Sequence, residues 1–203
     1  MSEYIAPIRD MQFVLKELAG LDEVAQLPGC EEATPDLVDA VLEEAGRFAE
    51  EVLSPINWSG DQEGARWQDK AVTMPAGFKE AYKLFADSGW TALACEPEWG
   101  GQGLPKVVAA AVAEMWKAAN HSFSLCPLLT AGAIESLVLT GSDELKQTYL
   151  EKMVSGVWTG TTANGDPAGE DCNGWTDPFA QGRVGDIDAV DGRWTDDCSM
   201  LCQ

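Results

Sequence analysis

The sequence predicts an all-α fold up to about residue 156, followed by an irregular, acidic tail. Apolar residues recur at three- and four-residue spacing in the first part, and proline, glycine and capping residues separate the recurring segments. Strand-like alternation is absent there. Residues 161–203 contain nine acidic and two basic residues and keep no regular period. Because such a segment buries little apolar surface on its own, it is expected to be either disordered or a damaged piece of something larger.

The composition limits the function classes that the chain can belong to. Its 203 residues, 45% of them hydrophobic, are enough for one ordinary core. The net charge of −21 repels phosphate backbones and anionic lipid, so we expect neither a nucleic-acid partner nor a membrane partner. We find no run of about 18 apolar residues and no secretory signal at the start. The chain is therefore expected to be cytoplasmic, with reduced cysteines.

The first two predicted helices have clear beginnings. Asp10 is expected to cap a first helix that runs up to Gly20. The apolar residues of this helix are Phe13, Val14, Leu15 and Leu18. Thr34 has the position of an N-cap, and Pro35 that of the first residue of the next helix. The apolar face of this second helix comprises Val38, Val41, Leu42, Ala45, Phe48, Ala49 and Val52.

Pro55 is expected to end the second helix, because Ser54 before it is disfavoured in the helical conformation. The polar stretch 57–73 shows little periodicity and is predicted to be a loop. Pro75 then opens a helix that Gly89 closes. The apolar face of this third helix is formed by Phe78, Ala81, Tyr82 and Phe85.

Three further helices are predicted after a glycine-rich turn. Pro105 starts the first of them, with a buried face made of Val108, Ala111, Val112, Met115, Trp116 and Ala119. The long apolar segment 123–140 predicts a helix that is covered on most sides. Ser142 is expected to cap the last helix, which Gly156 ends. The apolar residues of that helix are Leu145, Tyr149, Leu150 and Met153.

The glycine-rich segment Gly100-Gly101-Gln102-Gly103 precedes a helix, as a phosphate-binding loop does. It lacks the GxGxxG spacing, no strand comes before it, and no Gly-Lys-Ser/Thr ending follows. Pro105 also removes one donor that a helix N-terminus would offer an anion. We therefore interpret the segment as a structural turn.

Candidate catalytic and metal-binding residues are few. His121, the single histidine, lies at a helix junction, where capping a helix end is a far commoner role than catalysis. The pairs Glu43-Glu44 and Glu50-Glu51 are typical of a solvated helix face. The cysteines at 30, 95 and 126 are expected to act as small buried hydrophobic residues.

The acidic tail resembles a metal site only superficially. In Asp186-Ile-Asp188-Ala-Val-Asp191-Gly192 the third aspartate and the glycine each come one place late for a calcium loop. The remaining cysteines, Cys172, Cys198 and Cys202, form no close pair of the kind that zinc sites use. We predict no metal site.

The order of these segments resembles the acyl-CoA dehydrogenase family. Residues 97–105 (PEWGGQGLP) look like the family's Pro-Glu-aromatic-Gly-Gly-x-Gly turn, and residues 141–160 look like the helix that leads into its β domain. Residues 6–15 and 28–39 are similar to the subgroup of 3-methylmercaptopropionyl-CoA dehydrogenases. The likeness covers residues 1–160.

The resemblance implies three units: an extension helix over 1–33, the N-terminal helical domain over 34–160, and a degenerate or disordered start of the middle β domain over 161–203. It also implies an oxidoreductase that uses FAD, held between helical and β domains, in a homo-oligomer. Its reaction would be α,β-dehydrogenation of an acyl-CoA thioester. A glutamate would remove the α-proton while the β-hydride passes to the flavin.

The flavin-contacting motif departs from the family pattern. Where the family has Thr-Glu-Pro-x-Ala-Gly-Ser-Asp, this chain has Gly165 for the threonine and Glu170 for the serine, with one residue missing. A carboxylate at Glu170 would repel an anionic cofactor. Gly169 is the one surviving position and the candidate cofactor-binding residue. The catalytic base would lie in a domain further along the chain, so no residue is assigned its role.

Two functions are compatible with the sequence. In the first, the chain is the N-terminal portion of such a dehydrogenase, truncated or shifted out of frame near residue 160 and inactive alone. In the second, it is a non-catalytic helical module, for interaction or dimerisation, whose exposed apolar faces meet a partner. A third and weaker idea is a metal-binding acidic tail.

Overall fold

The computed structural model describes residues 4–68, 71–155, 181–184 and 198–201. The helices are α1 (Ile8–Phe13), α2 (Leu21–Val24), α3 (Pro35–Phe48), α4 (Ser54–Glu63), α5 (Phe78–Asp87), α6 (Lys106–Ala119), α7 (His121–Thr140) and α8 (Asp143–Ser155). Two π-helical turns, Val14–Leu18 and Ala49–Leu53, and two 3₁₀ turns, Trp90–Ala92 and Pro97–Trp99, lie between them. The all-α prediction for the first part is confirmed, apart from one short hairpin.

Among the described residues, four short strands form two separate antiparallel pairs. β1 (Arg66–Gln68) pairs with β2 (Ala71–Thr73), and β3 (Gln181–Val184) pairs with β4 (Cys198–Leu201). The first pair lies within the stretch 57–73, whose prediction as a loop is therefore wrong. The first half of that stretch belongs to α4 and the second half to this hairpin. Strands of three residues are too short for an alternating pattern to show in the sequence.

The main core lies where α3 and α6 pack together, with α1 and α5 against them. Its centre is aromatic: the ring centroids of Phe85 and Trp116 are 4.9 Å apart, and those of Trp90 and Trp116 are 5.4 Å apart, both in edge-to-face geometry. Such pairs add about 0.5–1.5 kcal/mol each beyond the burial of their area. The predicted apolar faces of α3, α5 and α6 all point into this core, as their spacing requires.

Helix α3 begins as predicted and ends at Phe48, but the helical path continues beyond the predicted end at Ser54. The Thr34 hydroxyl oxygen accepts a hydrogen bond from the Leu37 amide at 3.3 Å, and Pro35 is the first helical residue. Pro55 does not end the helical path, because the chain continues through the π-helical turn Ala49–Leu53 into α4. Pro55 then lies in the first turn of α4, where its missing N–H is not needed.

The N-terminal arm also differs from its prediction. α1 begins at Ile8, so Asp10 lies inside its first turn and does not cap it. Met11 and Leu15 are buried, whereas Phe13 and Leu18 remain 57% and 71% exposed. The arm therefore buries the apolar side chains of one face and leaves other apolar side chains in solvent.

Contacts with α3 and with the π-helical turn that follows it hold this arm in place. The Ala6 amide donates to the Glu50 carboxylate at 2.7 Å, and Lys16 pairs with Asp39 at 2.6 Å. A Cβ on Gly46 would lie 2.8 Å from Ile8 Cδ1, so the small residue lets the arm approach the helix closely. Glu50 is half-buried, so the prediction that it lies on a solvated helix face is wrong. The same prediction is confirmed for Glu43, Glu44 and Glu51, which are exposed.

A buried asparagine connects the end of the π-helical turn Ala49–Leu53 to the start of α7. Asn120 is 0% exposed; its side-chain oxygen accepts from the Phe123 amide at 3.0 Å, and its side-chain nitrogen donates to the Leu53 carbonyl at 3.2 Å. The capping role that we predicted for His121 therefore belongs to Asn120. His121 is the first residue of α7, and its side chain is exposed.

Removing this side chain should destabilise the fold. For Asn120→Ala we expect a loss of about 2–4 kcal/mol, because a helix cap disappears and the Leu53 carbonyl loses the hydrogen bond from the Asn120 side chain. Urea unfolding followed by far-UV circular dichroism measures this. Asn57→Ala, at an exposed position of α4, is the matched control and should change stability by no more than about 0.5 kcal/mol. Equal effects of the two substitutions would show that Asn120 does not connect the two elements.

Removing the hydroxyl of Tyr82, unlike removing the Asn120 side chain, is expected not to destabilise the fold. The Tyr82 hydroxyl oxygen is buried without a hydrogen-bond partner among the described residues. Burial, followed by the nearby Cys126 thiolate charge, raises the pKa of Tyr82 above its ordinary value. The folded state therefore binds the phenolic proton more tightly than the unfolded state does, and stability falls as the pH rises above about 10.

Tyr82→Phe should keep or slightly increase the free energy of unfolding at neutral pH and should reduce its decline in alkali. Urea unfolding at neutral pH and above pH about 10 makes the comparison. A loss above about 1 kcal/mol at neutral pH would instead reveal a hydrogen-bond partner for this hydroxyl.

Candidate functional site

The glycine-rich turn after Pro97 is closed by its own hydrogen bonds. The amides of Gly101, Gln102, Gly103 and Leu104 donate to the carbonyls of Glu96, Ala92, Cys95 and Leu93, respectively, at 2.8–3.0 Å. No amide of these four residues is left to bind a phosphate. The interpretation as a structural turn is confirmed.

Backbone geometry explains why the turn is rich in glycine. Gly100 and Gly103 have φ angles of 83° and 69°, in the left-handed region that disfavours other residues. A Cβ on Gly101 would lie 2.0 Å from the Cys95 carbonyl oxygen, which is backbone and cannot rotate away. Gly101 therefore has no room for a side chain, and Gly100 and Gly103 adopt a backbone conformation that glycine adopts most easily.

This turn helps to build a second, smaller core. Ala92 from the segment before it packs with Ile134 of α7 and with α8 residues Leu150, Met153 and Val154. The Thr91 hydroxyl donates to the Val154 carbonyl at 2.8 Å, which ties α8 to the same segment. The predicted Ser142 cap of α8 is confirmed by a 3.3 Å hydrogen bond from the Leu145 amide to the serine hydroxyl oxygen.

Helix α7 is far more exposed than its sequence predicts. Phe123, Ser124 and Ile134 are its buried residues, and they lie near its start and in its second half. Leu129 and Leu139 are 76% and 73% exposed. A further two leucines, Leu125 and Leu128, are each 46% exposed. We call these four side chains the leucine face. The prediction that α7 is covered on most sides is wrong for the described residues. An apolar sequence indicates that a helix needs cover, but it does not show which part of a protein provides that cover.

The composition of α7 also corrects the expectation that no segment of the chain is long and apolar enough to span a membrane. Helix α7 is 20 residues long, and an 18-residue window within it has a mean hydropathy of 1.6, so by length and composition alone it is a helix that could cross a bilayer. Core helices of water-soluble proteins meet the same criterion. Within the described residues, α7 contacts α6 and α8, and its Glu135 pairs with Lys106 at the start of α6.

A separate cleft of about 450 Å³ lies between α3 and the segment from Ser88 to Gln102. Phe48, Val52 and Trp90 contribute apolar side chains to its lining. At its rim, Arg47 and Glu44 form an ion pair of 2.6 Å, and both side chains are more than half exposed. The cleft is a shallow, mainly apolar groove, and its lining offers no buried charged group for chemistry.

The described residues contain few groups with the properties of a catalyst. Burial, with a smaller contribution from Glu96, raises the pKa of the Cys95 thiol, which therefore stays protonated and weakly nucleophilic near neutral pH. Cys30 and Cys95 are half-buried and Cys126 is exposed, so the expectation of buried thiols is wrong for Cys126. In this part of the chain no three His, Cys, Asp or Glu residues come together as metal ligands.

The predicted cofactor-binding residue Gly169 lies outside the described residues, as do Gly165, Glu170 and the segment 186–192. Cys172 and Cys202 also lie outside them, and Cys198 begins β4. The leucine face of α7 is thus the main functional feature that sequence reasoning missed. Its signal was the near absence of charge over 20 residues, which we attributed to burial.

A helical domain with an uncovered apolar face is the kind of module that packs against another domain. The family model for the acyl-CoA dehydrogenase N-terminal domain matches residues 36–157 of this chain. The chain belongs to the acyl-CoA dehydrogenase family.

Curated relatives agree with this assignment. The chain is 46% identical over 169 residues to 3-methylmercaptopropionyl-CoA dehydrogenase of Ruegeria pomeroyi, which covers 83% of this chain and 29% of the relative. It is 29% identical over 188 residues to butyryl-CoA dehydrogenase of Syntrophomonas wolfei, covering 91% of this chain and 29% of the relative. The chain therefore spans less than a third of the length of these relatives.

Among solved structures, an electron transferring flavoprotein of Acidaminococcus fermentans is similar with a TM-score of 0.46 at 18% sequence identity. This likeness covers 59% of this chain and 29% of that structure.

The closed turn leads to a test with two glycines. Gly101→Ala should cost about 1–3 kcal/mol or more, because the new methyl group meets the Cys95 carbonyl oxygen. Gly132→Ala, at a helical position with nothing within 4 Å of its Cβ, should stabilise the protein by about 0.5–1 kcal/mol. Thermal or urea unfolding measures both, and effects of the same sign would contradict the geometry.

The leucine face can be tested with an apolar dye. Leu129→Gln and Leu139→Gln together should lower the fluorescence of bound anilinonaphthalene sulfonate and leave stability within about 0.5 kcal/mol of the parent for each change. Ile134→Ala, a buried position on the same helix, should instead cost about 2–5 kcal/mol. If the two leucine changes cost as much as Ile134→Ala, the face is covered in solution.

Proposed function

We propose that this chain is the N-terminal helical part of an FAD-dependent acyl-CoA dehydrogenase and that it is inactive alone. The observation that supports this most directly is the leucine face of α7, uncovered in a domain whose sequence matches the family's N-terminal domain. Within the complete enzyme, this face would be covered by the remaining domains and the acyl-CoA substrate.

The reaction proposed for the complete enzyme is α,β-dehydrogenation of an acyl-CoA thioester. In it, the described residues would form an apolar wall. Leucine side chains make no hydrogen bonds, so they would contribute by excluding water from the thioester and by burying apolar surface, at about 25 cal/mol per Å². They would supply neither the base nor the groups that polarise the thioester carbonyl.

The described residues do not by themselves fit FAD. The amides of the glycine turn are consumed internally, and Asn120 accepts hydrogen bonds from the amides of Phe123 and Ser124 in the first turn of α7. A cofactor with two phosphates requires such donors. We therefore assign flavin binding to other parts of the enzyme, with Gly169 as the candidate position in this chain, and propose no step of the flavin chemistry here.

The domain boundaries follow from the same proposal. We propose that residues 1–33 form an extension, 34–160 the helical domain and 161–203 the start of the middle β domain. The matched range 36–157 supports the second of these. For the complete enzyme we propose a cytoplasmic homo-oligomer that takes an acyl-CoA. The similarity to the Ruegeria protein makes 3-methylmercaptopropionyl-CoA the first substrate to try.

The same leucine face favours one alternative from another class, a helical interaction or dimerisation module that has no catalytic role. In that case a second protein chain would cover the face, and the isolated chain would form a defined complex. Size-exclusion chromatography with light scattering measures the molar mass of the isolated chain and so distinguishes this alternative from the dehydrogenase proposal. A discrete dimer that Leu129→Glu converts to monomer supports the module, whereas the dehydrogenase proposal expects no such defined dimer.

We expect the purified chain to contain no stoichiometric flavin and to desaturate no acyl-CoA. Flavin absorbance and reduction of an artificial electron acceptor, with 3-methylmercaptopropionyl-CoA and butyryl-CoA as substrates, measure these properties. Substoichiometric flavin that washes away does not count as binding. Desaturation by the chain alone would overturn the proposal.

A chimaera provides the positive test. Residues 1–160 of this chain, put in place of the matching segment of the Ruegeria enzyme, should give a flavin-containing protein that desaturates 3-methylmercaptopropionyl-CoA. Leu129→Glu in the chimaera should lower that activity at least about tenfold, since a carboxylate in an apolar contact costs more than 1.4 kcal/mol. Glu98→Gln, at an exposed position of the glycine turn, is the control and should retain activity. A folded chimaera that binds no flavin would refute the assignment of the helical domain.

A further inference from the structure

We draw no further inference here: the strongest candidate, the open apolar cleft between helix α3 and the segment from Ser88 to Gln102, carries none because nothing in the described residues shows what covers it.

Discussion

The position of α7 depends on the burial of Asn120. An amide side chain enclosed in the core has to satisfy its donor and its acceptor, and Asn120 does so with groups from two different elements. One is the Leu53 carbonyl, which ends the π-helical turn Ala49–Leu53, and the other is the Phe123 amide in the first turn of α7. Because both bonds fail if α7 moves, this single residue sets where the most apolar helix of the chain begins relative to α3 and α4.

The far end of α7 is held differently, by the small core around Ile134 and Leu150. Between these two attachments, the leucine face has no cover among the described residues. Four exposed leucines on one helix leave apolar surface in water, which an independently stable domain would usually bury. The two attachments thus hold α7 in place with its apolar side outward, as a wall that another domain would complete in the proposed enzyme.

Local signals predicted the places where local chemistry decides the structure. The caps at Thr34 and Ser142 are side-chain bonds within three residues, and the glycine turn requires φ values that few residues adopt. The failures share a different cause. Pro55 is tolerated because a π-helical turn shifts the hydrogen-bonding register before it, and Asn120 acts through a carbonyl 67 residues away. Neither a register shift nor a distant partner leaves a periodic mark in the sequence.

The leucine face shows why the candidate site was harder to predict than the fold. An apolar helix gives the same pattern whether its cover comes from the same domain, another domain or a substrate. Its exposure in the structure shows that the described helices do not supply that cover, and we propose that the other domains of a larger enzyme do. In the proposed enzyme, the described residues would supply shape and exclude water, while the hydrogen-bond donors, the base and the cofactor contacts would come from the other domains. A wall of this kind contributes to catalysis only by what it excludes, so its effect is measurable only when the rest of the site is present.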